Sequence, residues 1–499
     1  MKLLELVNSI EYSCDKEIDN IHVEDITTSP KKISSGTLFV IIRSISFDIN
    51  KIVAYVLSCN PVAIVCDYDL LIDSNSIPII RCESTRRILP YLYSNYYKID
   101  YSKMRFCAVT GTNGKTTTAT MLSHILTHSE KKVGFIGTGK IIINGNQITD
   151  NKYSMTTPDP DLLYPVVKKM QNAGCEFIIM EVSSHALYFE KVSPIPFEVS
   201  IFTNLSSEHM DFHKNINEYF QTKLRLFSQT KTGIFNMDDS YSRKAFDTAT
   251  CKKTSIGIVQ DAEAMAKDVV MNGLLGSKYI YRETNRLFMV KLQLGGAFNI
   301  YNSMMAIAAA ISLGIKPCIA KEAISKLDFI DGRLEIIEDE ITVIIDYAHT
   351  ESALSNVLKT IKSSKKQQQK VTTVFGCGGN RDVLKRPKMA QVAEELSDFV
   401  IVTTDNSRNE SEANIIKDIL QGFHSTTKRK VITSRKAAIE YAILSAEKND
   451  IVTIIGKGHE RYNIDKDGYR YFDEREIIKE ALKKRKLNHE NNTKAAYNT

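Results

Sequence analysis

Short apolar runs of four to six residues alternate with helical stretches along most of the chain, the pattern of β-α-β units. Near the start, residues 37–42 (Thr-Leu-Phe-Val-Ile-Ile) and 63–66 (Ala-Ile-Val-Cys) read as buried strands, with a helix over 52–57 between them. This predicts a small α/β domain over residues 1–100, ending in the tyrosine-rich polar stretch 91–103. The alternation resumes with runs at 106–109, 177–180 and 199–202, apolar on both faces as central parallel strands are. The region 255–295 carries no clear period, and an alanine-rich helix is expected over 303–311. From about 334 a third βα series begins, with strands at 342–345, 371–375, 399–402 and 451–455. The expected domains are therefore 1–100, 101–333 and 334–499, with 365–370 as an exposed connection.

The residues just after each strand turn the picture from fold to chemistry. After 106–109 comes Thr110-Gly111-Thr112-Asn113-Gly114-Lys115-Thr116-Thr117, leading into a helix over 118–126. A strand turning through glycines into a helix start aims backbone N–H groups, the helix dipole and a lysine at one spot, which suits phosphate. The hydroxyl after the lysine suits Mg²⁺. Val109 stands where the usual P-loop has its first glycine, so the loop is a short one. Strand 177–180 ends in Glu181-Val182-Ser183-Ser184-His185, and a carboxylate there is placed to hold Mg²⁺. His209, Asp211 and His213 could suggest zinc, but no cysteine or further histidine completes a tetrahedral set; His209 fits better as a second magnesium ligand. Asn299 and Asn302, taken alone, read as helix caps. In the third series, strand ends carry Asp346-Tyr347-Ala348-His349, Gly376-Cys377-Gly378-Gly379-Asn380-Arg381-Asp382, Asp405-Asn406-Ser407-Arg408 and Gly456-Lys457-Gly458-His459-Glu460, a ligand-binding rim.

Composition narrows the setting. With 43% hydrophobic and 25% charged residues, the 499-residue chain is ordinary for a globular protein of several domains. The net charge of +6 is dispersed except for Lys483 to Lys486, read as a solvated end, and no base-reading motif points to nucleic acid. Nine cysteines without a Cys-x-x-Cys pair fit reduced thiols. Neither a signal peptide nor an apolar run of membrane-spanning length is present in the sequence, so a cytoplasmic protein is expected, and a monomer.

Together these motifs resemble the Mur ligases, and within them the members that add the third residue of the peptidoglycan stem peptide, over roughly residues 104–480. The resemblance implies an α/β protein of three domains: one for UDP, a central P-loop parallel-sheet ATPase, and a Rossmann-like C-terminal domain admitting the amino acid. It implies ATP and Mg²⁺, with Gly111 to Thr117, Asn299, Asn302, Arg333 and Asp346 at the nucleotide. Thr116, Glu181, His209 and Lys223 are implied at metal, Lys223 as a carbamate. Thr156, Thr157, Ser183 and Lys191 match positions at the UDP-N-acetylmuramoyl-dipeptide. Arg381, Asp405, Asn406, Ser407, Arg408, Gly456 and Glu460 match the diamino-acid site. Asp405-Asn406-Ser407-Arg408 is similar to the Asp-Asn-Pro-Arg signature for meso-diaminopimelate, whose second carboxylate an arginine fork can pair.

The implied reaction is amide formation through an acyl phosphate, with Lys115 at the phosphates and His349 as a base for the incoming amine. The chain departs from the family toward its N-terminus. Ser29-Pro30-Lys31 replaces Asp-Ser-Arg, the uracil loop reads Arg43-Ser44-Ile45-Ser46-Phe47-Asp48, and Phe189 and Lys191 stand for a glutamine and an arginine. A sister ligase adding lysine or another amino acid to a modified carrier, and a nucleotide-binding regulator that has lost ligation, remain the other readings.

Overall fold

The computed structural model describes residues 1–43, 53–68, 77–148 and 155–497. Three sheets carry the chain. The first has the order Ser13–Cys14, Ile79–Arg81, Ala63–Cys66, Thr37–Val40, Asp25–Thr27, parallel apart from Ser13–Cys14. The strand Ile79–Arg81 was not expected, the run from 37 ends at Val40, and the first helix is Val53–Ser58. Residue 52 and the altered uracil-loop residues 44–48 lie outside the described residues. The stretch 91–103 is not an open connection. The helix Thr85–Tyr96 runs through it and buries Leu92, Tyr93 and Ser94, because its tyrosines supply apolar rings as well as hydroxyls.

The second sheet has eleven strands. Its parallel centre is Thr230–Asn236, Phe197–Phe202, Arg105–Thr110, Phe177–Glu181 and Val133–Gly137, all five strands largely buried. The region 255–295 extends this sheet through Lys252–Gly257 and Ala264–Met271, parallel to each other, then antiparallel Ser277–Glu283 and Arg286–Leu292. The helices Lys115–His128 and Ala297–Ser312 share one apolar core on this sheet. Both begin earlier than the periodicity indicated, since the glycines before them are part of the turn.

The third sheet runs Glu335–Glu338, Thr342–Asp346, Ile451–Ile455, Val371–Phe375, Phe399–Val402, Arg429–Val431, with only the first strand antiparallel. A two-stranded hairpin, Tyr462–Asp465 with Gly468–Tyr471, precedes the last helix, Glu474–Tyr497. That helix corrects the solvated basic end. Ile478, Ala481 and Leu482 pack into the core, and Arg485, 4% exposed, donates to the carbonyls of Ile443 and Ala446. Its aliphatic stem is buried while its guanidinium caps a neighbouring helix end. All nine cysteines are free thiols. No helix among the described residues is long and apolar enough to cross a membrane.

Candidate functional site

The carboxyl ends of the central strands of the second and third sheets open into one cavity of about 1270 Å³. The glycine loop forms its floor. Gly111 and Gly114 have φ of +139° and +83°. A Cβ on Gly111 would lie 2.0 Å from Thr203 Oγ1, and one on Gly114 would lie 2.5 Å from Asn302 Oδ1, so both approaches demand glycine. Lys115 folds back on its own loop, its Nζ donating to the carbonyls of Gly111 (3.1 Å) and Thr112 (2.8 Å). Asn299 and Asn302 are not caps. Gly296 holds the cap position without a side chain, and the two asparagines sit inside the helix, bonded to each other at 3.0 Å. Asn302 Oδ1 also accepts from Thr118 Oγ1, so the pair fixes the loop from behind. Thr112, Asn113, Thr117, Asn299 and Asn302 all line the cavity, whereas Gly111 contributes only its carbonyl behind the wall.

Glu181 is fully buried at its strand end, accepting from Thr116 Oγ1 at 2.9 Å and from Thr138 N at 3.1 Å. Arg333, from the start of the third unit, donates to Thr116 Oγ1 at 3.0 Å and stacks on Tyr347. One bond thus ties the turn after 332 to the phosphate loop. His209 reaches the same cavity with its ring edge-on to His185, and burial pushes its pKa down to about 3, against the pull of Glu208. A neutral imidazole keeps a lone pair for a metal. His213 does not join it; its ring lies against Phe212 and Tyr219 and neither nitrogen has a hydrogen-bond partner.

Lys223 is 1% exposed, donates to the Gly111 carbonyl at 2.9 Å and stacks on Tyr219. Burial, reinforced by repulsion from Lys115, holds its amine well below the ordinary lysine range. Among the described residues no three His, Cys, Asp or Glu side chains form a metal cage. The donors nearest the glycine loop are the Thr116 hydroxyl, the carboxylates of Glu181 and Glu208, and the His209 imidazole. Such a set suits Mg²⁺, which keeps waters and borrows phosphate oxygens, better than zinc.

Two charged residues here escaped the sequence reading. Glu208, 4% exposed, lines the cavity and meets His349 Nε2 at 2.9 Å, while His349 Nδ1 meets the Tyr347 carbonyl at 2.9 Å. Acceptors face both ring nitrogens, so the His349 ring is held between Glu208 and the Tyr347 carbonyl, and neither nitrogen is left free toward an incoming amine. The only hint of Glu208 in the sequence was its place beside His209. Lys457, fully buried, donates to Asn406 Oδ1 at 2.8 Å and lies 3.6 Å from both Asp405 and Glu460. It stands in the glycine-lysine-glycine turn already marked as part of the rim.

That rim is assembled from three strand ends. Asp405, Asn406, Arg408, Gly456, Glu460 and Arg381 all line the cavity. Arg408 has φ +53° and donates through Nη1 to the carbonyls of Gly379 (3.0 Å) and Asn406 (3.2 Å). Among the described residues its Nε and Nη2 have no hydrogen-bond partner. Ser407 is a correction: it is buried outside the cavity, its carbonyl accepting from Glu410 N. Asp346 lines the cavity, yet both its oxygens accept backbone amides, of Leu334 and Ala348 at 2.7 Å each, so it holds the turn around Arg333.

At the other end of the cavity stand Thr156, Thr157, Ser183 and Lys191. Thr157 Oγ1 donates to the Glu181 carbonyl at 2.8 Å, and Lys191 Nζ pairs with Asp159 at 2.6 Å. Thr28, Ile42, Arg86, Leu89 and Tyr93 of the first unit complete the wall.

A family model of the Mur ligase middle domain matches residues 109–310, and one described as the Mur ligase glutamate ligase domain matches residues 332–458. A UDP-N-acetylmuramoyl-L-alanyl-D-glutamate–2,6-diaminopimelate ligase of Clostridium botulinum is 36% identical over 489 residues, covering 97% of this chain and 100% of the relative. The enzyme of that name from Clostridioides difficile is 35% identical, covering 97% and 100%. A solved structure of a ligase of the same name superposes with a TM-score of 0.68 at 27% identity, covering 97% of this chain and 99% of that one. A folylpolyglutamate synthase of Mycobacterium tuberculosis, at 16% identity and TM-score 0.61 over 74% of this chain and 92% of its own, shares the fold.

Proposed function

Since the chain belongs to the Mur ligase family, whose members are ATP-dependent ligases, we propose that it adds meso-diaminopimelate to UDP-N-acetylmuramoyl-L-alanyl-D-glutamate. One observation carries this reading: a single cavity holds Lys115, Glu181 and the free edge of the Arg408 guanidinium. ATP and the carrier's D-glutamyl carboxylate are taken to meet at the glycine loop, and the amino acid to enter from the rim. In this reading residues 1–100 take the UDP end, 101–333 the nucleotide, and 334–499 the amino acid. The protein is then a cytoplasmic monomer acting on soluble precursors.

In the first step the carboxylate attacks the γ-phosphorus in line, giving an acyl phosphate and ADP. Lys115 leaves its loop carbonyls to neutralise charge on the transferred group, a gain realised as that charge develops. Thr116 and Glu181 would hold Mg²⁺, and His209 with a carbamylated Lys223 a second ion. When bound, these ions supply charge neutralisation at the phosphate oxygens. Lys223 suits carbamylation because burial pushes its amine toward the neutral form, and only the neutral amine adds to CO₂. In the second step the amine attacks the acyl carbon and inorganic phosphate leaves. His349, bonded at both nitrogens to Glu208 and the Tyr347 carbonyl, holds its own turn in place, and the proton that the attacking nitrogen loses leaves with the phosphate. Alignment of the reactants within the cavity is worth about 7–11 kcal/mol.

For selectivity, Asp405 and Glu460, each 3.6 Å from the buried Lys457, are the carboxylates taken to receive the ammonium. Arg408 Nε and Nη2 can pair the carboxylate beside that ammonium, and lysine would leave them unpaired. The test is phosphate release from ATP with the dipeptide carrier and either meso-diaminopimelate or lysine. Release with diaminopimelate alone is expected. Release with lysine alone would make the chain a sister ligase, and release with neither would remove the reading.

A further inference from the structure

We propose that Arg86 anchors the diphosphate of the carrier and that Phe189 is the platform that aims it, an inference that rests on the ligase reading above. Arg86 stands in the first turn of the helix Thr85–Tyr96 in the first unit, and Phe189 directly follows the helix Ser184–Tyr188 of the second. Both line the cavity, and the guanidinium carbon lies 4.6 Å from the centroid of the Phe189 ring. A guanidinium stacked on an aromatic face keeps its in-plane donors free.

The neighbouring arginines are committed: Arg43 pairs with Asp67 at 3.5 Å and Arg87 with Glu83 at 3.7 Å. Asp67 also accepts from Thr85 N and Oγ1. Arg86 alone of the three has no acid at ion-pair distance among the described residues. Among the described residues its one side-chain hydrogen bond runs from Nη2 to the Arg43 carbonyl at 2.9 Å, which fixes the fork and leaves Nε and Nη1 without a partner there. An unpaired, oriented guanidinium in the wall of a substrate cavity fits a dianion, and a diphosphate can take it bidentately.

The order of groups along the wall says which anion. The reacting carboxylate must lie by Lys115. From there the wall runs through Thr116 and Glu181 (2.9 Å), Thr138 and Thr156 (3.0 Å), then Thr157 and Ser183 (3.4 Å), before reaching Phe189. Arg86 therefore meets the end of the carrier opposite the one that reacts. Lys191, the other cation at this end of the cavity, is already paired with Asp159. A glutamine at position 189, as the family resemblance would place there, offers no aromatic face for a cation–π contact with Arg86.

UDP binding and ligation kinetics test this in the full chain. Titration with UDP should show the Kd raised at least tenfold by Arg86→Ala, and by a smaller factor in Phe189→Gln and Arg86→Lys. With the UDP carrier, Arg86→Ala should raise KM for the carrier by a similar factor while leaving KM for ATP and diaminopimelate within twofold. With N-acetylmuramoyl-dipeptide lacking UDP, the same substitution should cost nothing further. Wild-type protein that fails to bind UDP, a Kd change under threefold, or an equal penalty with both carriers would each overturn the proposal. Should Arg86→Ala fail to fold, Arg86→Lys and Phe189→Gln carry the same comparison. Absence of phosphate release by the wild type while UDP still binds through Arg86 would fault the ligase reading and not this one.

Discussion

Replacing Arg386 by methionine should loosen the third unit and, through it, the amino-acid rim. The Arg386 side chain is 0% exposed, with Nη1 and Nη2 donating to the two Glu410 oxygens at 2.6 and 2.7 Å, Nη1 to Asp418 at 2.9 Å, and Nη2 to the Gly378 carbonyl at 3.2 Å. Glu410 in turn accepts from Asn380 N at 2.8 Å, so one guanidinium ties the Arg381 loop to the Arg408 loop. Removing one partner of a buried ion pair costs about 3–5 kcal/mol. Glu410 and Asp418 are 23% and 27% exposed, and water recovers part of that, leaving about 2–4 kcal/mol. For a unit of this size the melting temperature should fall by about 5–15 °C, read by scanning calorimetry. The hydrogen bonds from Arg386 hold the Glu410 carboxyl below the usual carboxylate range. Its contribution is therefore complete above the unfolded value of about 4.3 and is lost as pH falls through the folded one. The gap between wild type and variant should be constant from neutral pH down to about 5 and should narrow as pH falls below the unfolded value of about 4.3 toward the lower folded one. A melting temperature within 2 °C of wild type at pH 7 would refute this reasoning.

Gly111→Ala forces a Cβ to 2.0 Å from Thr203 Oγ1 at a φ of +139°, a local cost of about 2–5 kcal/mol. Binding of a fluorescent ADP analogue should weaken more than tenfold while the circular dichroism spectrum stays native; unchanged binding would mean the loop does not hold phosphate. Lys223→Met keeps the volume and removes the amine, and should lower turnover more than a hundredfold with KM for ATP little changed. Wild-type turnover should also fall in CO₂-depleted buffer and return on adding bicarbonate, and indifference to both would exclude a carbamate.

The parallel strands were legible because they are covered on both faces, so 177–180, 342–345 and 451–455 read as largely apolar runs, broken only by Thr342 and Thr453. The antiparallel extension was not. In Arg286–Leu292 Leu287 and Met289 face solvent, at 70% and 49% exposure, while Val290 is buried, which erases the alternation a half-covered strand should show. The glycine loop was legible because its chemistry is contiguous. Glu208 and Arg386 were not, since each is a buried charge whose partners come from distant segments, and in sequence each looks like an ordinary surface residue. Asn299 and Asn302 were misread for a related reason: the helix start is local, but the contact that uses them is with Gly114 and Thr118, some 180 residues earlier. The partner of His349, Glu208, lies 141 residues earlier, which no spacing reveals.

The central claim, that a carrier carboxylate is activated by phosphoryl transfer at the glycine loop, is tested most directly with carrier labelled by ¹⁸O in its D-glutamyl carboxylate. After turnover with ATP and meso-diaminopimelate, mass spectrometry should find one ¹⁸O in each molecule of released phosphate and the diaminopimelyl amide in the product. Unlabelled phosphate, or amide formed without it, would contradict the account.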